Sequence, residues 1–238
     1  MKKNYKKLLF DLDNTLIDDN ENRKFAIEQI LIERGEDYTP ESLENFIEID
    51  NNFWRDRAAG KVPDPYKFKN NEEKTKWVRA QRFIRYFDGI GFGEASLIND
   101  KYMEFLKKKV VPINGATEIV EYLYDKGYEI FIITNGPTVA VEDKLKGIGA
   151  LEYVKEIFSA DEAGHMKPNP VFFNKFFEKI GCSNKSEMLI IGDELEKDVA
   201  GGFRNGIDTC WFNRFCEKND VYTINYEIKK LEELRNIL

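Results

Sequence analysis

Hydrophobic positions along the chain change their period twice, and the predicted elements follow from those changes. Leu8, Leu9 and Phe10 are apolar at consecutive positions, which suits a short strand covered on both faces. From Asp18 to Lys109 the period is helical. Ile27, Ile30 and Leu31 recur at i, i+3 and i+4 on a helix that opens near Asp18-Asp19-Asn20 and stops near Gly35. Thr39-Pro40-Glu41-Ser42 opens a second helix, with Leu43, Phe46, Ile47 and Trp54 along it until Gly60. Residues 61–71 carry Pro63 and Pro65 and read as a loop. A third helix sets Trp77, Ala80, Ile84 and Phe87 on one stripe, Gly89, Gly91 and Gly93 break it, and a fourth runs from about Glu94 to Lys109.

From Val110 strands and helices alternate. Pro112-Ile113-Asn114-Gly115 leads into a helix, and Tyr128 to Ile133 reads as a β-branched buried strand. A helix (about 138–146), a short strand at Ile157-Phe158-Ser159 and a helix (about 170–180) follow. Next come a strand at Met188 to Ile191, a helix (about 196–205), a strand at Thr209 to Phe212 and a last helix. This alternation implies right-handed crossovers and an α/β fold with a doubly wound, Rossmann-like parallel sheet. Residues 1–17 and 110–238 are therefore expected to form the α/β core, and 18–109 an inserted all-helical domain.

Composition narrows the class. At 238 residues, 42% apolar and 33% charged, the chain can bury a full core and is globular rather than disordered. A net charge of −7 argues against a nucleic-acid polymer as partner and against binding to anionic membranes. Three cysteines, Cys182, Cys210 and Cys216, leave an odd thiol under any pairing and form no CxxC, which fits a reducing compartment. The basic start is followed by only three apolar residues, too short a run for a signal peptide, so a cytoplasmic protein is expected.

Ligands of open α/β sheets bind beyond the carboxyl ends of the strands, so candidate chemistry is sought there. The first strand ends in Asp11 and Asp13, two apart and aimed the same way, while Leu12 points back into packing. Two converging acids repel and are costly to desolvate, so a divalent cation, a shared proton or a cationic partner must offset them. The second strand ends in Thr134-Asn135-Gly136-Pro137, a hydroxyl and a backbone nest before a helix. The third region holds Lys167 between Gly164 and Pro168, and the fourth holds Asp193, with Asp198 about one helical turn beyond. Oxygen ligands for Mg²⁺ and donors for a phosphate are thus both present, and there is no His/Cys cluster for zinc.

Asp11-Leu12-Asp13-Asn14-Thr15-Leu16, Thr134-Asn135-Gly136, Lys167-Pro168 and Gly192-Asp193 with Asp198 match, in order and spacing, the four motifs of the haloacid dehalogenase-like phosphohydrolases. The helical insertion resembles that family's small cap domain, which would close over the strand ends and decide specificity. Ile132 to Gly136, Thr209 to Asn213 and Phe53-Trp54 are similar to hallmarks of the bacterial noncanonical pyrimidine nucleotidases. The resemblance implies Asp11 as nucleophile, forming an aspartyl-phosphate, and Asp13 as general acid and then base. It implies Mg²⁺ held by Asp11, the backbone carbonyl of Asp13 and Asp193, with Asp198 behind them, and a phosphate bound by Thr134, the backbone of Asn135 and Lys167.

The expected substrate is a small phosphorylated metabolite, first of all a nucleoside monophosphate, with the protein a monomer or homodimer. Sugar phosphates, as phosphatase or phosphomutase substrates, are the alternative. A dehalogenase needs no second acid at position 13, and a signalling receiver is about half this length and lacks the insertion. Glu194 stands where relatives often have Ser and adds a carboxylate. His165 is read as loop structure or a substrate-edge contact. Phe53, Trp54 and Arg55 are candidates for stacking on a base, but Trp54 falls on an apolar stripe and core packing is its expected role.

Overall fold

The computed structural model describes residues 3–62, 68–181 and 184–238, so Pro63 and Pro65 of the anticipated loop and Cys182 lie outside the described residues. The chain divides into two compact units, Met1–Asp19 with Val110–Leu238, and Asn20–Lys109.

In chain order the first unit opens with β1 (Lys7–Phe10), and the second holds α1 (Asp19–Arg34, from Asn20 on), α2 (Pro40–Ala58), α3 (Asn71–Tyr86) and α4 (Phe92–Lys108). The first unit resumes with α5 (Ala116–Asp125), β2 (Glu129–Thr134), α6 (Thr138–Gly147), β3 (Val154–Ser159), α7 (Ala160–Ala163) and α8 (Pro170–Lys179). It closes with β4 (Met188–Gly192), a π-turn at Leu195–Ala200, α9 (Gly201–Arg204), β5 (Asp208–Phe212), β6 (Tyr226–Ile228) and α10 (Leu234–Ile237).

Among the described residues the sheet has six strands, all parallel, in the order β3-β2-β1-β4-β5-β6. Successive strand residues face opposite ways, so each continuous apolar run serves two cores at once. Leu8, Phe10, Ile130, Ile132, Leu189 and Ile191 meet Ile119, Val120 and Leu123 of α5 on one face. Leu9, Phe131, Ile133 and Ile190 meet Phe172, Phe173 and Phe176 of α8 on the other. The α/β class expected from the alternation is the one observed. Because β1 pairs with both β2 and β4, the winding reverses beside it, and the crevice of the sheet opens at its carboxyl end.

Three elements differ from expectation. β3 starts at Val154, ahead of Ile157. The helix expected over 196–205 is a π-turn followed by a single turn of α-helix. β6 replaces part of the anticipated last helix, which shrinks to a 3-10 turn at Leu231–Glu233 and α10.

The helical unit has its own core, in which Phe46 stacks on Phe83 at 5.7 Å and Tyr102 closes on both. Thr39 caps α2 with a reciprocal bond to Ser42, and Asn70 caps α3. Asp50 is buried there, and Arg23 (2.8 Å) and Arg82 (3.3 Å) donate to its two oxygens. Trp54 corrects the reading of its helix: it is 37% exposed, whereas Phe53 is fully buried and takes the core position. A rotation of one residue, 100° about the axis, separates the two.

Candidate active site

β1 ends at Phe10, and the Asp11 N–H extends its pairing by donating to the Ile191 carbonyl at 2.9 Å. The chain then turns tightly: Leu12 accepts from the N–H groups of Leu16 and Ile17, and Asn14 adopts φ 64°, a left-handed conformation Asn tolerates. Leu12, Leu16 and Ile17 are buried beneath this turn, which holds Asp11 and Asp13 at the rim.

The centre of the site is Lys167. Its side chain is 1% accessible, and its ammonium donates to Asp11 Oδ1 (2.6 Å), Asp198 Oδ1 (2.7 Å) and the Ile133 carbonyl (2.8 Å). All three donor directions of the ammonium are thus used. The loop carrying it is held by Asn135, whose side chain accepts from the Lys167 N–H at 2.7 Å and donates to the Lys167 carbonyl at 3.1 Å. An amide side chain here does what a neighbouring strand would do. The Lys167–Pro168 peptide is cis.

Asp11, Asp193 and Asp198 offer carboxylate oxygens that all lie within 4.8 Å of one another. Thr15 Oγ1, buried, stands 3.2 Å from Asp193 Oδ1 and 3.5 Å from Asp11 Oδ2. Asp198 has both oxygens engaged, Oδ1 by Lys167 and Oδ2 by the Glu194 N–H at 3.1 Å. Its close approach requires Gly192, since a Cβ there would stand 2.3 Å from Asp198 Cγ. Three acids and one ammonium leave an excess of negative charge, and the donors are hard oxygens. That set fits Mg²⁺.

Burial pushes Asp11 up to about 6, with Lys167 opposing and Asp198 reinforcing the rise. Asp193 is raised well above the ordinary carboxylate range by burial and by Asp11 and Asp198. Burial alone would lower Lys167, but the carboxylates of Asp11 and Asp198 override it and hold the ammonium above its ordinary value.

Asp13 lies apart from that acidic group. Its Oδ1 accepts from Lys144 on α6, whose ammonium also reaches Asp19 Oδ1 at 3.1 Å. Burial raises Asp13 to about 6, against the pull of Lys144 and with the help of Asp19. Thr134 is buried, and its Oγ1 accepts from the Gly136 N–H at 2.9 Å, which leaves its own proton to donate.

Sequence reasoning missed Lys144 altogether, and nothing in the sequence separates it from Lys146 two positions on. Thr15 lies within the first motif, which assigns it no role. Glu194 is exposed and paired with Lys197, outside the acidic group. His165 is exposed, with Nδ1 3.4 Å from Asn169 Nδ2.

Residues 8–212 match the family described as haloacid dehalogenase-like hydrolase. Over its length the chain is similar to the HAD-hydrolase YfnB of Bacillus subtilis, with 31% identity across 99% of this chain and 96% of that one. A crystal structure of YfnB bound to magnesium superposes with a TM-score of 0.86 at 30% identity, covering 99% of each chain. The pyrimidine 5'-nucleotidase PynA of Streptococcus pneumoniae is 28% identical over 98% of this chain and 95% of its own. A glyceraldehyde 3-phosphate phosphatase of Pyrococcus abyssi is 27% identical over 98% and 93%. Among the described residues, no helix is long and apolar enough to cross a membrane.

Proposed function

This chain belongs to the haloacid dehalogenase-like hydrolases and is a phosphoric monoester hydrolase, and we propose that it cleaves nucleoside 5'-monophosphates through an aspartyl-phosphate on Asp11. The observation that carries the chemistry is the buried Lys167 set between Asp11 and Asp198, with Asp193 completing the acidic group. The likeness to PynA along nearly the whole of both chains supports the nucleotide as substrate.

Asp11, Asp193 and the backbone carbonyl of Asp13 would hold Mg²⁺, with Asp198 orienting the others from behind. When bound, Mg²⁺ would offset the repulsion between an anionic nucleophile and an anionic phosphate. The free Asp11 oxygen attacks phosphorus as the ester P–O bond breaks. Asp13 gives its proton to the leaving oxygen. Asp13, now ionised, takes a proton from water as that water attacks the phosphorus of the acyl-phosphate, releasing phosphate and restoring Asp11. Thr134 and the Asn135 backbone bind the remaining phosphoryl oxygens, and the Lys167 ammonium, held against Asp11, offsets their charge. A carboxyl near 6 suits both halves of this cycle, since Asp13 must give and take a proton near neutral pH.

Sugar and triose phosphates are the second reading, favoured by the similarity to the Pyrococcus abyssi phosphatase. Phosphate release from p-nitrophenyl phosphate, pyrimidine and purine 5'-monophosphates and sugar phosphates, each with Mg²⁺ or with chelator, tests both levels. Pyrimidine monophosphates should lead the panel. Equal turnover in chelator refutes the mechanism, and a sugar phosphate ahead of every nucleotide refutes the substrate class.

A further inference from the structure

The segment that presents Asp193 is tied down from a strand that contributes nothing else to the acidic group. Trp211 of β5 pairs in register with Gly192 of β4 and is 1% exposed. Its indole Nε1–H donates to the Asp193 backbone carbonyl at 2.9 Å. A buried indole N–H needs an acceptor, and a carbonyl just past a strand end has lost its ladder partner, so each satisfies the other. The following residues are fixed separately: Glu194 donates to Asp198 Oδ2, and the Asp198 N–H donates to the Glu194 carbonyl at 2.9 Å. Between Gly192 and Glu194, the peptide that sets the rotation of Asp193 is therefore anchored by Trp211.

We propose that Trp211 is a positioning residue for the metal: by holding the Asp193 carbonyl it fixes the aim of the Asp193 carboxylate toward Asp11. The inference rests on the reading of Asp193 as a Mg²⁺ ligand. Groups that orient a ligand from behind typically govern metal affinity by 10–100-fold. A tryptophan that merely fills the core would govern stability and leave that affinity alone.

Trp211→Phe removes the N–H and keeps most of the ring. Replacing Trp211 with benzothienylalanine, which has sulfur in place of N–H, keeps its full volume and covers the case in which the smaller ring unfolds the protein. Metal affinity is read from the rise in unfolding temperature across a Mg²⁺ titration of the full chain, with Trp54→Phe as control. Both changes at 211 should weaken Mg²⁺ binding about 10-fold, and the control should match the unaltered protein. Wild-type Mg²⁺ affinity in the 211 variants overturns the inference, however much their stability in chelator has fallen. No response of the unaltered protein to Mg²⁺ overturns the reading of Asp193 itself, a result the first outcome cannot produce.

Discussion

Replacing Lys167 by Met would keep the length of the side chain and delete the only ammonium in contact with Asp11 and Asp198 among the described residues. The remaining carboxylates of Asp11, Asp193 and Asp198 lie within 4.8 Å of one another. Two unit charges about 4.8 Å apart repel by about 3.5 kcal/mol at an effective dielectric of about 20. Removing one partner of a buried ion pair generally costs about 3–5 kcal/mol, the same order as the repulsion that Lys167 offsets. Without metal, at pH 7.5, Lys167→Met should therefore lose about 3–5 kcal/mol of unfolding free energy. At pH 5 the loss should shrink, because protonation of one carboxyl removes a repelling charge. Adding Asp11→Asn should restore part of it for the same reason. Urea unfolding in chelator, with near-equal m-values across variants, reads all three quantities. A loss below about 1 kcal/mol at pH 7.5, or a double variant no more stable than Lys167→Met, would refute Lys167 as the counter-ion of the cluster.

Three further outcomes concern pH. Asp11 and Asp13 sit at about 6 in the fold against 3.8 ordinarily. Between about pH 4 and 6 the metal-free fold thus holds protons that the unfolded chain releases, and these two groups make the fold less stable as pH rises through that window. Protons and Mg²⁺ compete for Asp11, so Mg²⁺ affinity should climb from pH 5.5 to 7.5, and a flat profile would count against Asp11 as ligand. Lys144 pulls the Asp13 carboxyl down. Lys144→Met should therefore move the midpoint that Asp13 sets in the kcat profile up by about one pH unit and lower kcat more than it changes KM, while Lys144→Arg should revert most of the shift. An unmoved midpoint would mean that Lys144 does not govern Asp13.

The sequence by itself determined five of the six described strands and the acids at their ends. Consecutive apolar residues such as Leu8-Leu9-Phe10 suit a strand buried on both faces, and the spacing of Asp11 and Asp13 is covalent. β6 escaped because Tyr226-Glu227-Ile228 buries only Ile228 fully; the strand exists through its pairing with β5. Trp54 and Phe53 exchanged roles because a one-residue rotation of α2 lies below what a stripe of apolar letters resolves.

Only the tertiary structure decided which group answers which. That Lys144 serves Asp13, Asn135 clamps the backbone of Lys167 and Trp211 holds the Asp193 carbonyl depends on contacts spanning 131, 32 and 18 residues. No local pattern encodes such pairs, because each forms when packing brings separate strand ends to one rim. The sequence supplied the charges there, and the fold chose their partners.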